Sequence, residues 1–488
     1  MPQKRKQIRV ADSRHSWYYY GSCRQNLKAK AKQTRQEKML KITETKKANC
    51  QNRRQFLKNS AITAASTIFA VPMIVPKSAF GANAPGEQIL VGCIGVGRMG
   101  LSDMKEVLGF KQVQVVAVCD VDSKRANYAR QLAETHYSRQ SSAGTYKGCT
   151  AYRDFRDLIE RKDVDAVMIC TPDHWHALPA IAAAKAGKDI FVQKPLTLTI
   201  QEGRVLSDTV RRYGRVFQVG SQQRSESNFR SACELVRNGR IGKLQQVSVG
   251  LPTDPAGGLE APMPVPENLD YDTWLGPAPW AEYTEKRVHP QKGYDRPGWL
   301  QIQDYGAGMI TGWGAHHNDI AQWGMGTEYT GPVEIQGRAE YPKDGLWDVH
   351  GAFRIEYVYA NGVKLVCADD KKNKPGVLFQ GTEGWVSVDR GKIDTQPKSL
   401  VTSTIGPDEV HLYQSNNHKG NFFECIKSRA ETVAPVEIAH RSCTICLLGD
   451  IAMRLGRKLK WDPERERFTN DDQANRMLSK PMRSPWSA

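Results

Sequence analysis

The sequence predicts an α/β chain: a doubly wound parallel sheet, then an α+β domain on a mostly antiparallel sheet. Three observations carry this. The apolar run Ile89–Ile94 leads straight into Gly95-x-Gly97-x-x-Gly100. From there to residue 220, short apolar runs alternate with helical patterns, as in parallel strands joined by crossover helices. From residue 221 onward, strand-like runs follow one another with few helices between them.

The first run reads as a buried parallel strand. Gly95 suits a tight turn, Gly97 a close approach of backbone to a pyrophosphate, and Gly100 the packing of the next helix on the strand. Phosphates would sit at that helix's N-terminus, near Val96, Arg98 and Met99, where free N–H groups favour an anion. A second run, Val113–Cys119, ends at Asp120, 20 residues beyond Gly100. An acid there binds ribose hydroxyls, so the pattern predicts a dinucleotide cofactor. Asp120 favours NAD, because a carboxylate repels a 2′-phosphate, while Lys124 and Arg125 leave NADP open.

Helices are predicted over 98–108, 123–134 (with Ser123 as N-cap), 154–160, 177–186 and 200–213. Strands are predicted over 164–170, 189–192 and 216–219, and residues 139–150 read as a loop. Asp120, Thr171–His176 and Gln193–Pro195 all fall at carboxyl ends of strands, where such sheets bind ligands. The second domain has a helix over 227–238. Its strands fall at 245–250, 333–340, 351–359, 363–368, 377–380 and 385–389. A long irregular insertion rich in Pro and aromatics covers 251–300, and a long helix runs around Ile438–Leu455. The boundaries are thus 1–84 for a leader, 85–220 for the nucleotide-binding domain, 221–465 for the substrate domain and 466–488 for a polar tail.

The 488 residues carry a formal charge of +17. Residues 1–60 hold 17 Lys/Arg against three Asp/Glu, a net of +14 that leaves only +3 for the rest. The basicity therefore belongs to the leader, and no nucleic-acid surface is implied. Residues 1–50 are polar and read as disordered. Asn52-Arg53-Arg54-Gln55-Phe56-Leu57-Lys58 is a twin-arginine pattern, followed by an apolar segment over 61–75 too short for a stable membrane span. A small-residue stretch ends at Ala84. This order reads as an export signal, placing the protein in the periplasm or cell envelope, or in the cytoplasm if the signal does not function. Cys443-x-x-Cys446 lacks a second pair at zinc spacing and reads as helix packing, and no metal is predicted. Asp173-His174-x-His176 likewise lacks a matched ligand partner.

With these motifs in view, residues 85–465 resemble the Gfo/Idh/MocA oxidoreductases, in particular exported members. The resemblance implies a Rossmann domain followed by a large open antiparallel sheet, NAD or NADP, a sugar or polyol substrate, and a homo-oligomer. The family's Glu-Lys-Pro stands here as Gln193-Lys194-Pro195, which implies that Lys194 is catalytic. Its ammonium would stabilise developing alkoxide. By the same resemblance Thr171 and Pro172 line the nicotinamide side, and His176 lies near cofactor or substrate. The family's Asp-x-x-x-His-x-x-Asp segment stands as Gly312-Trp-Gly-Ala-His316-His317-Asn-Asp319. His316, or its neighbour His317, would be the base, since an imidazole suits proton abstraction near neutral pH. The first Asp is Gly312, which removes a carboxylate from the catalytic set. Trp175, Arg224, Tyr294, Arg296, Trp299, Asp304, Tyr305 and Asp319 are candidate substrate contacts.

Three readings are open on these residues. The first is an NAD(P)-dependent oxidoreductase acting on CH–OH, its cofactor retained and recycled. The second is an NAD-dependent glycosidase or lyase working through a transient keto-sugar. The third is a non-catalytic nucleotide or sugar sensor, which Gly312 supports.

Overall fold

The computed structural model describes residues 88–139 and 146–487. The twin-arginine pattern and the apolar segment after it lie outside these residues. No described helix is long and apolar enough to cross a membrane.

The first sheet has six strands: β1 (Ile89–Ile94), β2 (Val113–Cys119), β3 (Thr150–Tyr152), β4 (Ala166–Ile169), β5 (Asp189–Val192) and β6 (Phe217–Val219). They lie in the order β3-β2-β1-β4-β5-β6, every pair parallel. Both faces are covered, so β2, β4, β5 and β6 are buried at every position. Helices α1 (Arg98–Leu108), α2 (Ser123–Ser138), α3 (Phe155–Glu160), α4 (Ala177–Lys185) and α5 (Ile200–Arg212) make the crossovers. The strand order reverses at the β1/β4 boundary, the ligand crevice of this topology. Two expectations change here. An unpredicted strand, β3, begins at Thr150, the last residue of the predicted loop, and the cap of α2 is Asp122, whose carboxylate accepts from the N–H groups of Lys124 and Arg125.

The second sheet has nine strands: β7 (Leu244–Leu251), β8 (Glu334–Ala339), β9 (Phe353–Val358), β10 (Lys364–Asp369), β11 (Gly376–Gly381), β12 (Trp385–Asp389), β13 (Lys392–Gln396), β14 (Lys458–Asp462) and β15 (Arg467–Phe468). Their order is β13-β12-β11-β7-β10-β9-β8-β14-β15. All pairs are antiparallel except β7–β10, which is parallel, so the sheet is mixed. Ile355, Cys367, Val249, Val377 and Val388 form one buried row across five strands. Residues between them in sequence, such as Arg354 and Lys364, face outward.

Of the remaining helices, α6 (Ser227–Arg237), α9 (Gly314–Met325) and α11 (Val436–Leu455) are long, and α7 (Tyr271–Leu275) and α8 (Met309–Gly312) are short. Helix α11 lies on the sheet so closely that a Cβ at Gly449 would overlap the Tyr357 hydroxyl. That hydroxyl donates to the Ile445 carbonyl at 3.0 Å. Cys443 and Cys446 are both buried on α11, with thiols bonded to the carbonyls of Thr197 and Ser442. Helix α10 (His418–Ser428) was not predicted. Its Phe422 and Phe423 enter the core of the first sheet's outer layer, against Phe191 and Phe110. The segment read as a polar tail is also tied down. It contributes Phe468 to β15, α12 (Asp472–Arg476) and Trp486, whose ring lies 4.8 Å from that of Trp175.

Candidate active site

A cavity of about 930 Å³ opens at the carboxyl ends of the first sheet and extends to α8, α9 and the β12–β13 turn. The glycine fingerprint forms one end. Gly95 has φ +79°, and a Cβ there would sit 2.8 Å from the Cys170 backbone. A Cβ at Gly100 would overlap the Gly95 carbonyl. At Gly97 a Cβ would meet only Arg125 Nη1, 3.9 Å away, so here the fingerprint leaves open space. Gly97 is also the N-cap of α1 and offers no side chain to that helix's N–H groups. Arg98 and Met99 line the cavity, whereas Val96 is buried beneath it.

Asp120 lines the same end. Its carboxylate accepts from Val96 N and Asp122 N, both at 2.9 Å. Burial raises its pKa, while those two bonds and His289 pull it back. Free lone pairs remain for ribose hydroxyls. Arg125 is held by the carbonyls of Pro290 and Gly293 and lies over Tyr294 at 4.6 Å. Tyr294 is thereby engaged with Arg125 and does not line the cavity. Open space at Gly97, an uncapped helix N-terminus and Asp120 together fit a dinucleotide.

At the other end Lys194 and His316 meet. Lys194 Nζ donates to the Gly312 carbonyl at 2.8 Å. Burial lowers its pKa and Asp173 opposes that, while Arg390 and Arg296 reinforce it. His316 is 4% exposed and, among the described residues, its Nδ1 has no hydrogen-bond partner. Burial, then Lys194 and Arg390, hold its pKa well below the usual value, so the ring is neutral and resists taking a proton. Trp175, Arg296 and Trp299 line the wall. Thr171 and Pro172 do so as well, directly after β4.

Several expected contacts are elsewhere. Arg224 and Asp319 are each 2% exposed and form a two-bond ion pair at 2.7 and 2.8 Å. Glu328 and Ser442 complete that network, which is part of the packing and does not reach the cavity. Tyr305 is fully buried against Trp274 and His174, and Asp304 faces solvent away from the cavity. His317 turns from the cavity toward Asp389, 4.0 Å away, and packs on Trp313. His176 is on the cavity wall but both ring nitrogens are engaged, by the carbonyls of Pro195 and Thr171 at 2.6 and 2.9 Å. It ties the two strand-end loops together.

Among the lining residues not singled out as site residues are Asp103, Asp173, Arg390 and Lys419. Gln193, which replaces the family's Glu, donates its amide to Asp103 at 2.8 Å. Asp103 also pairs with Lys419 at 3.0 Å. A glutamate at 193 would face a carboxylate, so Gln193 and Asp103 form a matched pair. Arg390 lies on the β12–β13 turn over the Trp313 ring at 4.5 Å. No local pattern marks it, because its partners come from a distant helix.

A model of the oxidoreductase family's NAD-binding Rossmann fold matches residues 89–221, and one of its C-terminal α/β domain matches residues 257–488. An uncharacterized oxidoreductase, YrbE of Bacillus subtilis (strain 168), is 24% identical over 71% of this chain and 87% of its own length. Glycosyl hydrolase family 109 protein 2 of Shewanella sp. (strain ANA-3) is 37% identical, but only over 32% of this chain and 36% of that protein. Among solved structures, the WlbA dehydrogenase of Bordetella pertussis, crystallised with NADH and UDP-GlcNAcA, aligns with a TM-score of 0.55 at 15% identity. It covers 77% of this chain and 99% of that one. With a single cavity lined by two domains that each match in sequence, the chain belongs to the Gfo/Idh/MocA oxidoreductases, with their NAD-binding Rossmann domain.

Proposed function

We propose that this protein moves a hydride between a secondary hydroxyl of a sugar or polyol and NAD. The observation that carries this is the meeting of Lys194 and neutral His316 in one cavity with the glycine fingerprint and Asp120. NAD, when bound, supplies the hydride acceptor. Lys194 holds the reacting oxygen and stabilises the charge that develops on it. His316, a neutral imidazole whose Nδ1 is unengaged among the described residues, offers the substrate a hydrogen-bonding partner beside Lys194. Trp299 and Arg296 offer an aromatic face and a hydrogen-bonding cation to the sugar ring. The twin-arginine pattern supports export of the folded protein, and outside the cytoplasm a retained, recycled cofactor suits the chemistry.

A second reading is favoured by the 37% identity to a family 109 glycosyl hydrolase across part of the chain. Oxidising a ring hydroxyl acidifies the neighbouring C–H, and a glycosidic group can then be eliminated before the ketone is reduced again. Incubation with NAD and a panel of sugars, polyols and glycosides separates the two. Accumulating NADH with a keto product supports the dehydrogenase. Free aglycone without net NADH supports the glycosidase. No turnover of any probe overturns both.

A further inference from the structure

The cavity contains a carboxylate that neither family motif assigns. Asp173 follows β4 after Cys170, Thr171 and Pro172, and opens a single 3-10 turn, Asp173–Trp175. It is 4% exposed and lines the cavity with Lys194, Gly312 and His316. Among the described residues its carboxylate makes no side-chain hydrogen bond or ion pair. Its Oδ2 rests 3.5 Å from where a Cβ of Gly306 would stand, an ordinary packing distance. The turn is tied down, since the side chains of the next two residues, His174 and Trp175, are both bonded to the Trp274 carbonyl. An unengaged carboxylate buried this deeply is costly unless a cation or a proton is shared with it.

We propose that Asp173 is the proton acceptor of this site and takes, from the first domain, the carboxylate role that Gly312 leaves open in the second. The inference rests on the reading of Lys194 as the residue at the reacting oxygen. In the oxidation, the C–H bond breaks with its electron pair going to NAD as hydride. Lys194, an ammonium in the resting site, first gives a proton to the Asp173 carboxylate; the neutral amine then takes the proton as the O–H bond breaks and is an ammonium again. One C=O bond forms, and Asp173 ends as a neutral carboxylic acid; reduction runs the same path backward. Burial pushes the Asp173 carboxyl up to about 7 against the pull of Lys194, which suits an acceptor that must also release its proton near neutral pH. Lys194 faces Asp173, Asp103, Arg296, Arg390, His176 and His316, and Cys443 of α11 lies behind Asp173.

The pairing can be tested without a substrate. Acetic anhydride labels only neutral amines, so the extent of Lys194 acetylation against pH, read by mass spectrometry on the full chain, reports its protonation. Asp173→Asn is expected to shift the midpoint down by about one pH unit or more, because a neighbouring carboxylate favours the ammonium. Asp173→Ser repeats the measurement if Asn is not tolerated, and an unchanged midpoint overturns the pairing. The catalytic role is then read with NAD and methyl glucosides, methyl galactosides and myo-inositol as probes. Asp173→Asn is expected to lower kcat by roughly 10²- to 10⁴-fold with KM for NAD unchanged, and Asp173→Glu to recover part of it. Wild-type kcat in Asp173→Asn overturns the role. If the wild type turns over none of these probes, the redox reading fails, and the labelling result still decides the pairing.

Discussion

The Lys194 ammonium donates to the backbone carbonyl of Gly312 at 2.8 Å, the position where the family motif carries a carboxylate. A side chain would fit there, since a Cβ at Gly312 meets nothing nearer than Met309 Sδ at 3.9 Å. Gly312→Asp is therefore expected to fold as the wild type does by circular dichroism. With Asp173 already serving Lys194, turnover should change by less than about threefold. A gain of tenfold or more in kcat would mark a site short of a carboxylate.

Lys194→Ala is expected to lower kcat/KM by about 10²- to 10³-fold while NAD affinity, read by fluorescence titration, stays within about twofold. Lys194→Arg should not rescue it, because a guanidinium is larger, planar and cannot give up its proton.

Gln193→Glu would set a second carboxylate against Asp103. Urea denaturation at pH 8 should show a loss of about 1–3 kcal/mol. One carboxyl of the pair would then have a folded pKa above its unfolded value. The penalty is therefore absent below the usual carboxylate range and grows as pH rises through the folded pKa. Adding Asp103→Asn should restore most of the loss, and a Gln193→Glu variant as stable as wild type at pH 8 would argue against the matched pair.

Asp319→Ala should act on stability rather than on substrate affinity. It strands the Arg224 guanidinium, 2% exposed, with Glu328 as its remaining acidic partner. The expected cost is about 3–5 kcal/mol by chemical denaturation. An Asp319→Ala protein of wild-type stability with a raised sugar KM would return Asp319 to the substrate site.

Acid should loosen the contact between α5 and α11. Burial pushes the carboxyls of Glu437 and Glu466 up, but hydrogen bonds from Arg204 outweigh it, holding Glu437 down at about 2 and Glu466 also low. Depressed folded values mean that their contribution is full above the unfolded carboxylate range and is lost as pH falls toward the folded values. Glu437→Gln should therefore flatten the decline in stability between pH 5 and 3, measured by denaturation at each pH.

The parallel sheet was legible because strands buried on both faces are written as unbroken apolar runs, and because three glycines mark the turn after the first. Strands β3 and β15 were not, being three and two residues long, too short for any period to register. Helix α10 escaped because its core contacts come from adjacent phenylalanines rather than a helical stripe. In the site, Lys194 and His316 could be placed from motifs at element ends. Arg224, Asp304, Tyr305 and Asp319 could not be sorted from Arg296 and Trp299, since residue type does not say which way a side chain turns. Asp319 shows this well: it shares α9 with His316, yet its carboxylate is turned to Arg224 and Ser442. Asp173 was visible in the sequence within a group weighed as metal ligands. Its isolation beside Lys194 depends on the buried turn and the cavity wall, which only the fold supplies.

Phe422 and Phe423 have a consequence for synthesis. The layer over the first sheet that holds Val91, Val115 and Phe191 is completed by residues encoded about two hundred codons after that sheet ends. On the ribosome the nucleotide-binding half therefore emerges with an open apolar seam. It stays protease-sensitive until α10 has cleared the exit tunnel. A fragment ending near residue 220 should accordingly be insoluble or bind NAD weakly, and the whole chain must be made before the cofactor can be held firmly.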